Sequence, residues 1–244
     1  MTVIQIRPHH IFDLLVTDSI DDRACTVLIP HKTNYSGGIV ALETLLLISL
    51  LKSNRPDIVF EFGTYMGATT ALLCMNTGAY AKVVSIDLPP RDNHSVANIV
   101  TPTAGNKGVL KEDNDVDAAL INHSTAIGAY YIDHTSCDDL KKLVRIYGDS
   151  TVMPLSDYYG VVDFVWVDGG HDYDVVKSDT ENALRMLNKN NKKSTLVWHD
   201  YGNKSHPGVT RYIDELAQMH KIYCIGNTYM ALCMPYSDGD IMVG

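Results

Sequence analysis

From Asp57 onward the chain alternates between two kinds of pattern. DIVFEFG reads as a strand, ATTALLCMN opens a helix, and KVVSIDL is a second strand. After a long insert, KKLVRIYGD ends in a third. VDFVWVDGG is a fourth, followed by the amphipathic run VKSDTENALRMLNKN, and STLVWHD is a fifth, followed by GVTRYIDELAQM. Strands and helices in turn make a parallel sheet covered on both faces, because parallel neighbours need a crossover and the crossover is usually a helix. The ending differs: HKIYCIGNTYMALCMPY holds two strand-like runs around Gly226-Asn227, a hairpin signal. The expectation is an α/β fold whose last strands are antiparallel on a parallel sheet.

Around this pattern the chain divides into an N-terminal extension, 1–37, and one domain, 38–244, with an insert at about 89–140. The insert is polar and irregular and carries His94, His123 and His134. Such a segment in a compact domain is a substrate lid or a mere excursion of the chain. IVALETLLLISLL, residues 39–51, is too short to span a bilayer and is interrupted by Glu43. It reads as a buried helix stopped by Asn54, Arg55 and Pro56.

No membrane partner is therefore expected, and MTVIQIRPHHIFDLL lacks the pattern of a signal peptide. The net charge of −9 gives no electrostatic footprint for nucleic acid. The five cysteines form no CxxC pair, which suits reduced thiols in a cytoplasmic protein. A small-molecule substrate is the partner expected; the sequence leaves open whether the chain forms a homo-oligomer.

The chemistry starts at IVFEFGTYMGATTALL, residues 58–73. In an open α/β sheet, ligands bind at the carboxyl ends of the strands. Glu61 ends the first strand, Gly63 permits a tight turn, and Gly67 allows close approach of ligand or helix. The helix start offers free N–H groups to an anionic part of a ligand. The next strand ends in Asp87, 20 residues past Gly67, where a carboxylate suits a ribose diol. The spacing is Gly63-x-x-x-Gly67 and not GxGxxG, with Tyr65 where a dinucleotide site wants its middle glycine. That weakens a nicotinamide reading. A strand-turn-helix with purely structural glycines is the alternative to ligand binding, and Asp87 weighs against it.

Glu61-Phe62-Gly63-Thr64-Tyr65-Met66-Gly67 with Thr69, followed by SIDLPP with Asp87, resembles a class I S-adenosylmethionine-dependent methyltransferase. Gly148-Asp149-Ser150 resembles the turn that closes on the adenine in that family. VDFVWVDGGHDYDVVKSD and VWHDYGNKSHPGVTRYIDEL resemble the fourth and fifth strands and their helices in a small-molecule O-methyltransferase branch. The likeness covers roughly residues 38 to 234. It implies a Rossmann-like, doubly wound, seven-stranded, mostly parallel sheet with an antiparallel C-terminal hairpin strand. It also implies that Glu61, Gly63 and Gly67, with Thr64 and Tyr65 in the same loop, hold the amino-acid end of the cofactor. Asp87, followed by Leu88, would bind the ribose, Asp149 and Ser150 would contact the adenine, and Asp168 would face the sulfonium methyl and the acceptor.

Methyl transfer is an in-line displacement, so the protein chiefly aligns an acceptor and removes its proton. A divalent cation such as Mg²⁺ often helps by lowering the acceptor's pKa, and hard cations want carboxylate oxygens. Asp168 and Asp200 end neighbouring strands and converge on one pocket. The metal-dependent catechol-type methyltransferases are similar here, and Asp168 and Asp200 match their two acids. His171 stands where they have a lysine base, and a neutral histidine suits that role near pH 7. Tyr201 stands where they have an asparagine, leaving the third ligand, Asn203 or His171, and the need for a metal open.

Each residue also has a plainer reading. Asp168 caps a helix, His171 and His199 are structural histidines, His206 is a loop residue, Asp172 and Asp174 cap or solvate a helix start, and Trp166 is core. The expectation is transfer of methyl from S-adenosylmethionine to a small molecule's hydroxyl, with His171, Asp168 and His199 as the catalytic candidates. The alternatives are an NAD-dependent oxidoreductase and a non-catalytic S-adenosylmethionine-binding protein.

Overall fold

The computed structural model describes residues 2–14, 28, 38–88, 131–132, 138–239 and 241. Most of the insert, with His94, His123 and His134, lies outside the described residues, as do Cys25 and Cys137. Eight strands form one sheet: β1 (Ile4–Ile6), β2 (Ile58–Phe62), β3 (Lys82–Asp87), β4 (Leu143–Tyr147), β5 (Phe164–Val167), β6 (Thr195–Trp198), β7 (Tyr223–Ile225) and β8 (Ala231–Cys233). Five α-helices are described: α1 (Pro8–Asp13), α2 (Ala41–Asn54), α3 (Ala68–Asn76), α4 (Tyr173–Met186) and α5 (Pro207–Leu216).

The strand order is β1-β7-β8-β6-β5-β2-β3-β4. β8 runs antiparallel to both of its neighbours, and the other adjacent pairs are parallel. This is the expected mostly parallel sheet with an antiparallel C-terminal strand. Two details differ. The segment IQI near the N-terminus adds an eighth strand parallel to β7, and three residues are too few to show a period of two. The β7–β8 connection is also wider than the two-residue turn read from Gly226-Asn227. Ile225 N–H reaches Met230 O at 3.0 Å, and Asn227 turns the chain with φ 63°.

Successive strand residues face opposite sides, so each strand feeds two cores. Phe60, Phe62, Val165, Val167, Leu196 and Trp198 pack on one side with Val176, Ala183 and Met186 of α4 and Val209, Ile213 and Leu216 of α5. Val59, Phe164, Trp166 and Val197 pack on the other with Leu46, Leu47 and Leu51 of α2 and Leu72 and Leu73 of α3. Trp166 is core, as expected. α2 is buried along most of its length and ends where Arg55 takes a left-handed conformation before Pro56.

This register brings the carboxyl ends of β6, β5, β2 and β3 side by side. Asp200, Asp168, the Gly63 loop and Asp87 follow those ends in that order across the sheet.

Candidate active site

The glycine loop is built around two close approaches. A Cβ on Gly63 would collide with the carbonyl of Asp168, and the residue sits at φ 91°, so glycine is required twice over. Gly63 N–H donates to Ile86 O at 2.9 Å and Asp168 N–H donates to Phe62 O at 2.9 Å, which locks the loop between β3 and β5. Gly67 lies at φ 84° and starts α3.

Asp87 holds this loop in shape. Its Oδ2 accepts from Thr64 N–H at 2.9 Å and Tyr65 N–H at 2.7 Å, and its Oδ1 accepts from Leu88 N–H at 2.7 Å. Burial raises its pKa, and the three N–H donors oppose that rise. Tyr65 itself sits at φ 46°, a left-handed conformation uncommon for a tyrosine.

Glu61 lies beneath the loop with no exposed surface. Its Oε2 accepts from Thr70 Oγ at 2.5 Å and Ser85 Oγ at 2.6 Å, whereas Oε1 has no hydrogen-bond partner among the described residues. Burial pushes its carboxyl up to about 8, and the neighbouring charges of Asp168 and Asp87 add to that rise. Three acids thus sit close enough to feel one another, an environment suited to a cationic ligand.

The Gly148-Asp149-Ser150 turn follows β4 and is tied to β3, where Gly148 N–H donates to Asp87 O at 2.8 Å. Asp149 Oδ1 accepts from the N–H and the hydroxyl of Thr151 at 2.9 and 2.6 Å. Ser150 hydrogen-bonds Asp179 of α4, a residue the sequence reading did not single out. Burial pushes Asp179 up to about 7. The signal for it was an acid on the apolar face of an amphipathic helix.

Beyond β5 and β6 the structure brings Asp168, His171, His199 and Asp200 into one cluster. His171 Nε2 lies 3.0 Å from Asp200 Oδ2. His199 Nδ1 lies 3.1 Å from the same oxygen and 3.3 Å from Asp168 Oδ1, and its Nε2 lies 3.3 Å from Glu43 Oε2. Burial opposes charge on His199, but Asp168, Asp200 and Glu43 overcome it and push the imidazole up to about 12. It is therefore an imidazolium that donates through both nitrogens. Burial likewise opposes ionisation of Asp200, yet His171 and His199 hold its carboxyl well below the usual range.

Glu43 was also missed as a site residue. A carboxylate in the run IVALETLLLISLL has to find partners when buried, and that was its signal. Its Oε1 accepts from Tyr229 N–H at 2.8 Å and its Oε2 from Val40 N–H at 3.0 Å. His206, read as a loop residue, is buried at the start of α5 and stacks on His171 with ring centroids 3.9 Å apart.

The donors beside Asp168 and Asp200 fit an all-oxygen cation poorly. Tyr201 Oη donates to Asp214 at 2.8 Å. Asn203 turns its Nδ2 to Asp200 Oδ1 at 2.6 Å, while its own Oδ1 accepts from Ser205 N–H at 3.0 Å. Neither residue offers Mg²⁺ a third oxygen.

A family model described as a methyltransferase domain matches residues 60–201, more than half of the chain and the part that carries the loop and the acid cluster. The chain belongs to this methyltransferase family. No curated protein matches it. Three solved structures are similar in fold. An O-methyltransferase from Bacillus cereus, in complex with SAH, is 13% identical with a TM-score of 0.53, over 82% of this chain and 84% of that one. A putative caffeoyl-CoA O-methyltransferase from Staphylococcus aureus is 11% identical with a TM-score of 0.53, over 82% and 85%. A cofactor-bound protein from MTB is 13% identical with a TM-score of 0.53, over 84% of each chain.

The methyltransferase is thus of the class I, S-adenosylmethionine-dependent kind that its sequence resembles, and the nicotinamide reading is set aside. No helix among its described residues is long and apolar enough to cross a membrane.

Proposed function

We propose that this methyltransferase methylates a hydroxyl oxygen of a small molecule. The observation that carries the reading is the meeting of Asp168, His171, His199 and Asp200 at two adjacent strand ends. S-adenosylmethionine, when bound, supplies an electrophilic methyl group on a sulfonium. The protein holds its amino-acid end through Glu61, Gly63, Thr64, Tyr65 and Gly67, its ribose through Asp87 beside Leu88, and its adenine through Asp149 and Ser150. The mutual proximity of Glu61, Asp87 and Asp168 supports a ligand that carries positive charge on sulfur and on its amine.

Asp168 and Asp200 orient the acceptor. His171 donates its Nε2–H to Asp200 and takes the hydroxyl proton on its other ring nitrogen, and Asp200 stabilises the imidazolium that results. His199 offsets the charge of the surrounding carboxylates and keeps Asp168 and Asp200 in place, so we assign it a positioning role in the reaction. The O-methyltransferase from Bacillus cereus, in complex with SAH, supports oxygen as the accepting atom by likeness of fold.

The test is turnover with phenols and vicinal diols offered as acceptors. Asp168→Ala is expected to lower kcat/KM by at least about 100-fold, as for loss of one positioned group. Full turnover by that variant sinks the catalytic assignment. A thermal shift with S-adenosylhomocysteine but not with NAD tests the cofactor separately.

A further inference from the structure

His171, Asp200 and His206 each present a ligand atom, and these atoms all lie within 4.8 Å of one another. The three come from two loops: His171 from the one between β5 and α4, and Asp200 and His206 from the two ends of the one between β6 and α5. Gly208 explains how they meet. A Cβ there would lie 2.5 Å from His171 O and 2.6 Å from Tyr173 N, so only glycine lets the start of α5 rest on the backbone of residues 171–173. That contact sets His206 on His171, with the rings 3.9 Å apart and 26° from parallel. Asp200 is fixed from the other side, by Asn203 on its Oδ1, while its Oδ2 is shared by His171 and His199.

We propose that His171, Asp200 and His206 form a binding site for one divalent transition ion of the Zn²⁺ or Co²⁺ class. Two imidazoles and one carboxylate are a borderline donor set that prefers such ions to Mg²⁺. In a tetrahedral site with bonds of about 2.1 Å, neighbouring donors stand about 3.4 Å apart, so the two imidazoles close the set around an ion by turning out of their stack. Asn203 supplies the outer hydrogen bond that orients a ligating carboxylate. Asp168, His199 and Asp200 lie equally close to one another, but both nitrogens of His199 face carboxylate oxygens and donate to them, so His199 has no lone pair to give an ion.

The site has a consequence that rests on the proposed methyl transfer. An ion on Nε2 of His171, in place of the proton shared with Asp200, draws charge from the ring and leaves its other nitrogen a much weaker base. Bound Zn²⁺ therefore lowers turnover.

The experiment uses the full chain, stripped with a chelator and titrated with Co²⁺, Zn²⁺ and Mg²⁺. One Co²⁺ per chain with visible absorption bands is expected, with Mg²⁺ at least about 100-fold weaker. His206→Ala is expected to weaken Co²⁺ binding by at least about 10-fold, and Asp168→Ala to change it by less than about 3-fold. His206→Gln replaces His206→Ala if the latter does not fold, with S-adenosylhomocysteine binding as the check of an intact domain. Binding of Mg²⁺ as tight as that of Co²⁺ overturns the proposal. So does Co²⁺ binding that survives loss of His206, or that is lost with Asp168. If Co²⁺ binds as expected while Zn²⁺ fails to inhibit, the site stands and the role of His171 as base falls.

Discussion

Glu43 on α2 and His199 after β6 meet at 3.3 Å across 156 residues of sequence. Through that contact a helix that precedes the whole alternating sheet reaches the acid cluster at its far side. The imidazolium that Glu43 helps to hold also bonds Asp168 and Asp200, so one positive charge serves three carboxylates.

His199 gives the fold a dependence on alkaline pH. Its folded pKa, about 12, lies above its ordinary value of 6.5. The stability it contributes is therefore complete below about pH 6.5 and is lost as pH rises toward 12. Between about pH 8 and about pH 10 the melting temperature of the wild type should fall more steeply than that of His199→Gln. The variant itself should be less stable by about 3 kcal/mol near neutral pH, since it leaves the carboxylates uncompensated. Melting curves across that range decide the point, and equal slopes refute it.

Glu61 acts on a lower window. Its folded pKa, about 8, exceeds the ordinary 4.5, so the stability tied to its proton is present below about pH 4.5 and fades as pH rises through 8. Glu61→Gln removes that loss. The Tm of the variant relative to wild type should be higher at pH 8 than at pH 5, while S-adenosylhomocysteine binds more weakly to it. A pH-independent difference would count against a raised pKa at Glu61.

Removing the carboxylate of Asp87 unties two N–H groups of the glycine loop. Asp87→Ala should destabilise the fold by about 2 kcal/mol, in keeping with loss of hydrogen bonds to a charged group. It should also weaken S-adenosylhomocysteine by at least about 10-fold. Urea unfolding and calorimetric titration measure the two effects, and unchanged affinity would remove Asp87 from the binding site.

Gly63→Ala places a methyl group against the Asp168 carbonyl at a φ of 91°. The expected loss is at least about 2 kcal/mol, read by urea unfolding. A variant as stable as wild type would show that the β2 and β5 loops do not touch as described.

The sheet and the glycine loop were legible because their signals are local. Short β-rich runs alternating with helical patterns named the parallel strands, and EFGTYMG with Asp87 named the loop. The acid pair Asp168 and Asp200 was legible because both residues end strands that the alternation made neighbours. Glu43, Asp179 and His206 were not singled out as site residues, because their partners lie 156, 29 and 35 residues away in sequence. No local pattern encodes such pairings; they come from the crossing of α2, α4 and α5 over the strand ends. β1 escaped notice for a different reason: three residues on an edge gain their shape from β7, not from their own sequence.

The hold of Asp87 on Thr64 and Tyr65 also shapes how a ligand is met. A loop already tied down by its own carboxylate has little disorder left to lose, so cofactor capture should resemble a key entering a cut lock. Calorimetry should then show a small heat-capacity change at this part of the site, without the signature of coupled folding. Selectivity would be written into the backbone before the cofactor arrives.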